Sequence, residues 1–128
     1  MGNKKILIVE DDNFVAEVYM AKLAEIGYSA SWACNGKEGL DFLDRDDFSL
    51  ILLDVLMPVM NGMEMLDEIN KNENWKKIPV ILLTNVGEKD NIENARKFGA
   101  RSYLIKSHFT PAEVIEKIES ILSEQQKI

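Results

Sequence analysis

A run of four branched aliphatic residues, Leu50–Leu53, leads directly into Asp54 and is followed by Pro58. A continuous apolar run of this length predicts a strand covered on both faces, as in a parallel sheet flanked by helices. Pro58 cannot take part in further ladder pairing, so the strand should end before it. Asp54 would then lie at the carboxyl end of the strand, where open α/β sheets place their ligand sites. Taken alone, an aspartate at this point could equally well start a turn.

Strands and helices alternate along the whole chain. Short apolar runs predict the strands, and capping residues followed by amphipathic segments predict the helices. The predicted strands are 6–9, 29–34, 50–53, 79–83 and 102–105, and the predicted helices are 13–26, 36–46, 62–69, 88–98 and one that starts at 111 and runs to the C-terminal region. This order predicts an α/β fold in which five helices flank a doubly wound, five-stranded parallel sheet. We expect residues 1–128 to form one domain without an output domain.

Composition narrows the function classes. The net charge of −7 and the lack of clustered Lys and Arg argue against direct nucleic-acid binding. No 18-residue apolar segment and no signal peptide are visible, so we expect a cytoplasmic protein that does not span a membrane. The single Cys34 excludes an internal disulfide, and we interpret it as a small apolar residue at the end of a strand.

The first helix carries two apolar faces. A period of 3.6 residues places Ala16, Tyr19, Leu23 and Ile26 together on the face that should turn inward. Three other apolar residues fall on the polar side: Phe14, Val18 and Ala21. They are either scattered surface hydrophobes or a docking stripe beside the start of the helix.

Polar residues of distinct chemistry follow four of the five strands. Glu10 and Asp11 follow the first strand, Asp54 the third, Thr84 the fourth and Lys106 the fifth. Parallel strands place these ends on one edge of the sheet, so three carboxylates should crowd one pocket. At about 4 Å, two such charges repel by roughly 4 kcal/mol at an effective dielectric near 20, so the site needs a proton or a cation.

An all-oxygen cluster of this kind suits Mg²⁺, which keeps several waters and typically meets a phosphoryl group. Lys106 would supply a positive charge and Thr84 a hydroxyl donor for phosphoryl oxygens. The Asp54 carboxylate is then the natural nucleophile, because aspartate can carry phosphate covalently.

These motifs resemble the receiver domain of two-component response regulators over residues 4 to about 124. The matching pieces are 6–11, 54–62, Leu83-Thr84, Gly99-Ala100 and Lys106. The resemblance implies the strand order 2-1-3-4-5 and the phosphorylation of Asp54 by a partner's phosphohistidine. It also implies that Asp11, Asp54 and the backbone carbonyl of Leu56 bind Mg²⁺, or Mn²⁺ in its place, with Glu10 assisting through water.

The resemblance assigns further roles. Asp12 is interpreted as the cap of the first helix, and Tyr103 as the aromatic switch partner of Thr84. The expected partners are a sensor histidine kinase or histidine phosphotransfer protein, docked on Phe14, Val18 and Ala21, and a downstream protein effector. The chain would be a regulatory phosphoacceptor that promotes its own phosphorylation and dephosphorylation, not an enzyme, and either a monomer or a weak phosphorylation-dependent dimer.

Two departures from the family pattern fall beside the site. Receivers usually have proline after the lysine, whereas here Ser107 and His108 follow. A cis bond before a non-proline residue costs about 2.5–4 kcal/mol, so we expect a trans Lys106–Ser107 bond. The residue after Thr84 is Asn85, larger than the usual small residue, which leaves the lifetime of the phosphate open.

Two alternatives remain open. A flavodoxin-like electron carrier would share the sheet, but the acids after the first strand would repel the phosphate of FMN. A degenerate receiver that acts only as a docking scaffold would lack some of the acids, the threonine or the lysine at the strand ends, whereas this chain has all of them. The chain could equally be a stand-alone receiver or one part of a longer regulator.

Overall fold

The computed structural model describes residues 4–55, 57, 59–84, 96–97 and 99–126. These residues contain five strands: β1 (Lys5–Val9), β2 (Ser29–Ala33), β3 (Leu50–Asp54), β4 (Val80–Thr84) and β5 (Ser102–Ile105). They also contain four α-helices: α1 (Asn13–Glu25), α2 (Gly36–Arg45), α3 (Gly62–Lys71) and a C-terminal helix (Pro111–Gln126). The predicted helix 88–98 lies almost entirely outside the described residues, apart from the helical Arg96 and Lys97.

All strand pairs are parallel, and the sheet order is β2-β1-β3-β4-β5, as the resemblance implied. β3 is buried along its whole length, which confirms the interpretation of its uninterrupted apolar run. β2 lies at one edge of the sheet, and four of its five residues are exposed or half-buried. The sequence therefore predicted the fold class and the central strand correctly.

Alternate residues of the central strands pack on opposite faces of the sheet. One face, with Ile6, Ile8 and Leu52, packs against α1 and the C-terminal helix. The other face, with Leu7 and Leu53, packs against α2 and α3. The C-terminal helix buries five apolar residues: Val114, Ile115, Ile118, Ile121 and Leu122. Because helices cover both faces, the carboxyl edge of the sheet is left as the place for a polar site.

Side-chain caps fix where the helices begin. The carboxylate of Asp12 accepts a hydrogen bond from the Val15 amide, which confirms its interpretation as the cap of α1. Asn61 and Glu64 form a reciprocal capping box at α3. These caps satisfy amide groups at the first turns of α1 and α3 and so fix where the two helices begin.

Some predicted details were wrong. Ile26 is exposed rather than inward, because α1 ends at Glu25 and Ile26 is already its C-cap. The helix predicted to end at residue 69 continues to Lys71 as α3, and a short 3-10 helix follows at Trp75–Lys77. β2 ends at Ala33, so Cys34 lies beyond the strand that it was expected to close.

Among the described helices, none is long and apolar enough to cross a membrane.

Candidate phosphoacceptor and metal site

The carboxyl edge of the sheet brings Glu10, Asp54 and Thr84 together. Val9 pairs with Leu53 in register, so Glu10 follows β1 beside the end of β3, and Thr84 ends the neighbouring β4. Glu10, Asp54 and Thr84 are the buried polar residues of the described chain, with exposed fractions of 3%, 7% and 0%. Burying three polar side chains among aliphatic residues costs free energy, so their presence at this edge of the sheet indicates a functional site.

The backbone after Asp54 is held by a close approach of α3. The Gly62 amide donates to the Val55 carbonyl over 2.8 Å. A Cβ at Gly62 would lie 2.2 Å from the Asp54 carbonyl oxygen, so only glycine fits there. The start of α3 therefore fixes the end of β3, and with it the position of the Asp54 side chain.

Glu10, Asp11 and Asp54 form an acidic cluster in which one carboxylate oxygen from each lies within 4.8 Å of the others. Burial is the main cause that raises the pKa of Glu10, and its contact with Asp54 raises it further. Burial and the neighbouring Glu10 also raise the pKa of Asp11, although Asp11 lies on the exposed rim. The fold thus holds these carboxylates close together in spite of their mutual repulsion.

The main chain of Glu10 is fixed independently of its charge. The Trp32 indole donates to the Glu10 carbonyl over 2.6 Å, and the Glu10 amide donates to Ala33 over 3.0 Å. Sequence reasoning did not find Trp32, because its pairing depends on the register between β2 and the end of β1. The edge strand therefore contributes to the placement of the buried acid.

Lys106 reaches into the cluster from the end of β5. Its Nζ lies 2.6 Å from Glu10 Oε1 and 3.3 Å from Asp54 Oδ2. Burial lowers the pKa of Lys106, but the hydrogen bond to Glu10 and the charges of Asp54 and Glu10 outweigh it, so the net pKa is raised. One ammonium thus faces three carboxylates, and the ionised cluster keeps an excess of negative charge.

The residues fit a hard divalent cation. Glu10 Oε2 is buried and has no hydrogen-bond partner among the described residues, although its other oxygen binds Lys106. A buried carboxylate oxygen without a partner is costly, and an ion or its bound water would satisfy it. The ligand atoms are all oxygens, which is the set that Mg²⁺ prefers. Leu56, the predicted carbonyl ligand, lies outside the described residues.

The two predicted switch residues lie on neighbouring strands. Thr84 is fully buried at the end of β4 and pairs in register with Ile105. Tyr103 is half-buried and packs against the core on the α2 and α3 side of the sheet. Thr84 thus lies at the site, whereas Tyr103 pairs in register with Leu82, two residues before the end of β4, and the switching role of both residues stays a prediction.

Part of the predicted docking stripe borders a cavity beside Lys106. This cavity, of about 220 Å³, lies between the first half of α1 and the segment that follows Lys106. Its lining residues are Phe14, Val15, Val18, Tyr19, Lys106, Phe109 and Pro111. Phe14 is 74% exposed, whereas Ala21 is exposed but does not line the cavity. Sequence reasoning missed Phe109, because it is brought to α1 only by the fold.

The segment after Lys106 is a short 3-10 helix, Lys106–His108, rather than an irregular loop. None of the described peptide bonds is cis, so the Lys106–Ser107 bond is trans, as predicted. His108 is exposed. Asn85 lies outside the described residues.

Cys34 lies in the cap of α2 rather than in a strand. Its thiol donates to Glu38 over 3.2 Å, and the same carboxylate accepts from the Cys34 amide over 3.3 Å. The hydrogen bond to Glu38 is the main cause that raises the pKa of the thiol. The interpretation of Cys34 as a simple apolar residue was therefore incomplete, since the thiol takes part in a polar cap.

Comparison with known proteins decides the family. The profile of the response regulator receiver domain matches residues 6–119. This chain belongs to the response regulator receiver domain family. It is 32% identical over 120 residues to the chemotaxis protein CheY1 of Helicobacter pylori, and the match covers 92% of this chain and 96% of that protein.

Solved receiver structures share the fold. A CheY-like receiver domain protein from Methanospirillum hungatei superposes with a TM-score of 0.90 at 31% identity, covering 98% of each chain. The probable transcriptional regulator ycf27 of Cyanidium caldarium is 38% identical over 117 residues, which are 91% of this chain but 45% of that protein. The receiver domain thus spans about half the length of such regulators. Receiver domains are regulatory domains of two-component signalling.

Proposed function

We propose that this receiver domain is a phosphorylation-dependent switch in which Asp54 accepts a phosphoryl group from a partner's phosphohistidine. The observation that carries the proposal is the acidic cluster of Glu10, Asp11 and Asp54, in which the Lys106 ammonium contacts Glu10 and Asp54. In the transfer, an Asp54 carboxylate oxygen forms a bond to phosphorus as the phosphorus–nitrogen bond of the donor breaks. The donor histidine keeps the electron pair, and because its other ring nitrogen carries a proton it leaves as a neutral imidazole.

We infer that Mg²⁺, with Mn²⁺ as a substitute, binds Asp11, Asp54 and the Leu56 carbonyl, with Glu10 acting through water. The bound ion supplies positive charge that offsets the phosphoryl oxygens and the carboxylates. The raised pKa of Glu10 and its buried, unpartnered oxygen support this assignment. Each of these residues is an oxygen donor, and the described chain offers no comparable cluster elsewhere.

The chain's own residues hold the phosphoryl group. Lys106 lies 3.3 Å from Asp54, so its ammonium is placed to bind a phosphoryl oxygen on that carboxylate. The Thr84 hydroxyl, at the adjacent strand end, would donate to a second oxygen. These two residues therefore orient the acceptor and stabilise the product by charge and hydrogen bonding.

Phosphorylation adds a charge of about −1.5 to −2 at the end of β3. We infer that it draws Thr84 toward the phosphoryl group and turns Tyr103 inward, which changes the surface of β5, of the C-terminal helix and of the helix that the sequence predicts at 88–98. Moving such an equilibrium from 1:99 to 99:1 needs about 5.5 kcal/mol of differential stabilisation. Several charge-assisted hydrogen bonds at about 1.5–3 kcal/mol each can approach that value.

The donor would be a sensor histidine kinase or a histidine phosphotransfer protein docked on Phe14, Val18 and Ala21. The apolar cavity beside Lys106 supports this place, because it offers aromatic and aliphatic surface next to the acceptor. A Phe14→Ala, Val18→Ala double variant should transfer phosphate from a protein donor more slowly. An unchanged rate would count against docking at this stripe.

The downstream partner is proposed to be a protein effector, in a cytoplasmic setting. The regulators of which this domain spans half are named transcriptional regulators, so a nucleic acid would be contacted through another domain rather than by this acidic chain. The cyanobacterial receiver RcpA, solved in a phosphorylated form, has a TM-score of 0.80 to this chain at 26% identity and covers 94% of it. That likeness supports phosphorylation here too.

Acetyl phosphate tests the acceptor without a protein donor. With Mg²⁺, the wild-type mass should rise by about 80 Da, the mass of one phosphoryl group. Asp54→Asn should show no gain, whereas Asp44→Asn, which removes an equal charge from an exposed site, should behave as the wild type. A wild-type protein that stays unmodified would favour the scaffold alternative, and a yellow, FMN-bearing protein would favour the carrier.

A further inference from the structure

Val59 has an unfavourable backbone conformation and an exposed side chain. Its φ is +68°, and it is the only non-glycine residue with a positive φ in the described part of the chain. A branched side chain is poorly tolerated in this left-handed region, where glycine and asparagine are preferred. The side chain is also 77% exposed, so it gains little from packing.

Hydrogen bonds on both sides keep the loop in this conformation. The Val55 carbonyl accepts from the Gly62 amide over 2.8 Å, and the Met60 carbonyl accepts from the Gly36 amide over 3.0 Å. The backbone around Val59 is therefore determined by α2 and α3, whatever side chain it carries. The fold itself does not require valine, and a strained residue that the surroundings maintain points to a function.

Val59 belongs to the loop that follows the acceptor strand. It lies five residues after Asp54, and five extended residues span at most about 18 Å. Phe14, the most exposed aromatic residue among those described, lies at the same edge of the sheet after β1. Two exposed hydrophobes therefore follow the two neighbouring strands that carry the acidic cluster.

We propose that Val59 is an apolar contact for the protein that donates the phosphoryl group, a second anchor besides Phe14. The proposal rests on the proposed function, since any protein that brings a phosphohistidine to Asp54 must approach the loop that follows it. Asp11 and Asp12 are exposed on the same rim. The matching partner is thus a histidine module with apolar residues beside its phosphohistidine and basic residues around them.

The test compares a protein donor with a small donor that has the same phosphorus–nitrogen bond. The protein donor is a histidine kinase cytoplasmic fragment, autophosphorylated with ATP and selected from a panel by its transfer to the wild type. The small donor is phosphoramidate. Val59→Asn removes both the strain and the apolar surface, whereas Val59→Thr keeps the branched shape and the strain but adds a hydroxyl.

Both variants should lower kcat/KM for the kinase fragment by about fivefold or more, as for an interface anchor, and leave the phosphoramidate rate unchanged. Only Val59→Asn should also raise the midpoint of thermal unfolding, by about 4 °C, because it alone relieves the backbone. Ile26→Asn, which alters an exposed aliphatic residue at the far end of α1, should leave both rates as in the wild type.

An unchanged rate from the kinase fragment in Val59→Asn would overturn the proposal. An equal loss with both donors would also overturn it, because Val59 would then position the acceptor loop rather than contact a partner. A wild type that phosphoramidate does not label at Asp54 would instead refute the proposed function, so the two failures are distinct.

Discussion

Replacing Asp54 by Asn should stabilise the protein in the absence of Mg²⁺. The Asp54 carboxylate lies 3.3 Å from Lys106, an attraction of about 5 kcal/mol at an effective dielectric of 20. Its oxygen lies within 4.8 Å of Glu10 and of Asp11, so each repels it by at least about 3.5 kcal/mol on the same scale, with Asp11 discounted because it is exposed. Attraction and repulsion therefore nearly cancel.

The burial of Asp54 then decides whether its replacement by Asn raises or lowers the free energy of unfolding. Asp54 is only 7% exposed, and a buried charge carries an effective penalty of several kcal/mol that a neutral amide avoids. Lys106 keeps its 2.6 Å contact with Glu10 in the variant. We expect a net gain of about 2 kcal/mol in the free energy of unfolding, or about 8 °C in the midpoint for a domain of this size.

Added Mg²⁺ should reverse this order of stability. At about 100 times its dissociation constant, a ligand that binds only the folded state stabilises it by about 2.7 kcal/mol, which exceeds the gain of about 2 kcal/mol expected for Asp54→Asn. The wild type should show this gain, and Asp54→Asn, which lacks one carboxylate ligand, should show much less. The assay is thermal or urea unfolding with Mg²⁺ or with EDTA, and Asp44→Asn serves as the control of equal net charge.

Two outcomes would refute the reasoning. Destabilisation of Asp54→Asn in EDTA would mean that the attraction to Lys106 outweighs burial and repulsion. An equal Mg²⁺ gain in the wild type and Asp54→Asn would mean that the ion binds elsewhere.

Two further predictions concern the surroundings of the site. Gly62→Ala would normally favour a helix by about 1 kcal/mol, but its Cβ would lie 2.2 Å from the Asp54 carbonyl oxygen. We therefore expect urea unfolding to show about 2 kcal/mol of destabilisation, and acetyl phosphate to label the variant more slowly. A variant more stable than the wild type would contradict this. Because Glu38 raises the pKa of Cys34, Glu38→Ala should move the pH profile of thiol alkylation to lower pH, and an unchanged profile would contradict the cause assigned. The thiol contribution to wild-type stability should be present below the ordinary thiol pKa near 8.5 and be lost as pH rises through the higher folded value.

The sequence predicted the layout of the site because each part has a local signal. An aliphatic run of strand length ends at Asp54, and another ends at Glu10, so the parallel topology alone brings these acids to one edge. The caps at Asp12 and Asn61 were equally readable, since a capping side chain and its amide lie within three residues.

Features that depend on tertiary approach could not be read in this way. A valine in the sequence gives no indication of the left-handed backbone conformation that Val59 adopts. Position 62 needs glycine only because α3 meets the end of β3. Phe109 borders the docking cavity only because the C-terminal helix packs beside α1. Ile26 was predicted inward because its helical phase is right, but the helix ends one residue before it.

The most direct test of the central claim is a crystal structure of this chain grown with Mg²⁺ and beryllofluoride, a mimic of a bound phosphoryl group. We predict one cation among Glu10, Asp11 and Asp54, with the beryllofluoride on the Asp54 carboxylate and contacted by Lys106. A structure in which this acidic cluster holds neither group, under conditions that saturate a control receiver domain, would contradict the account.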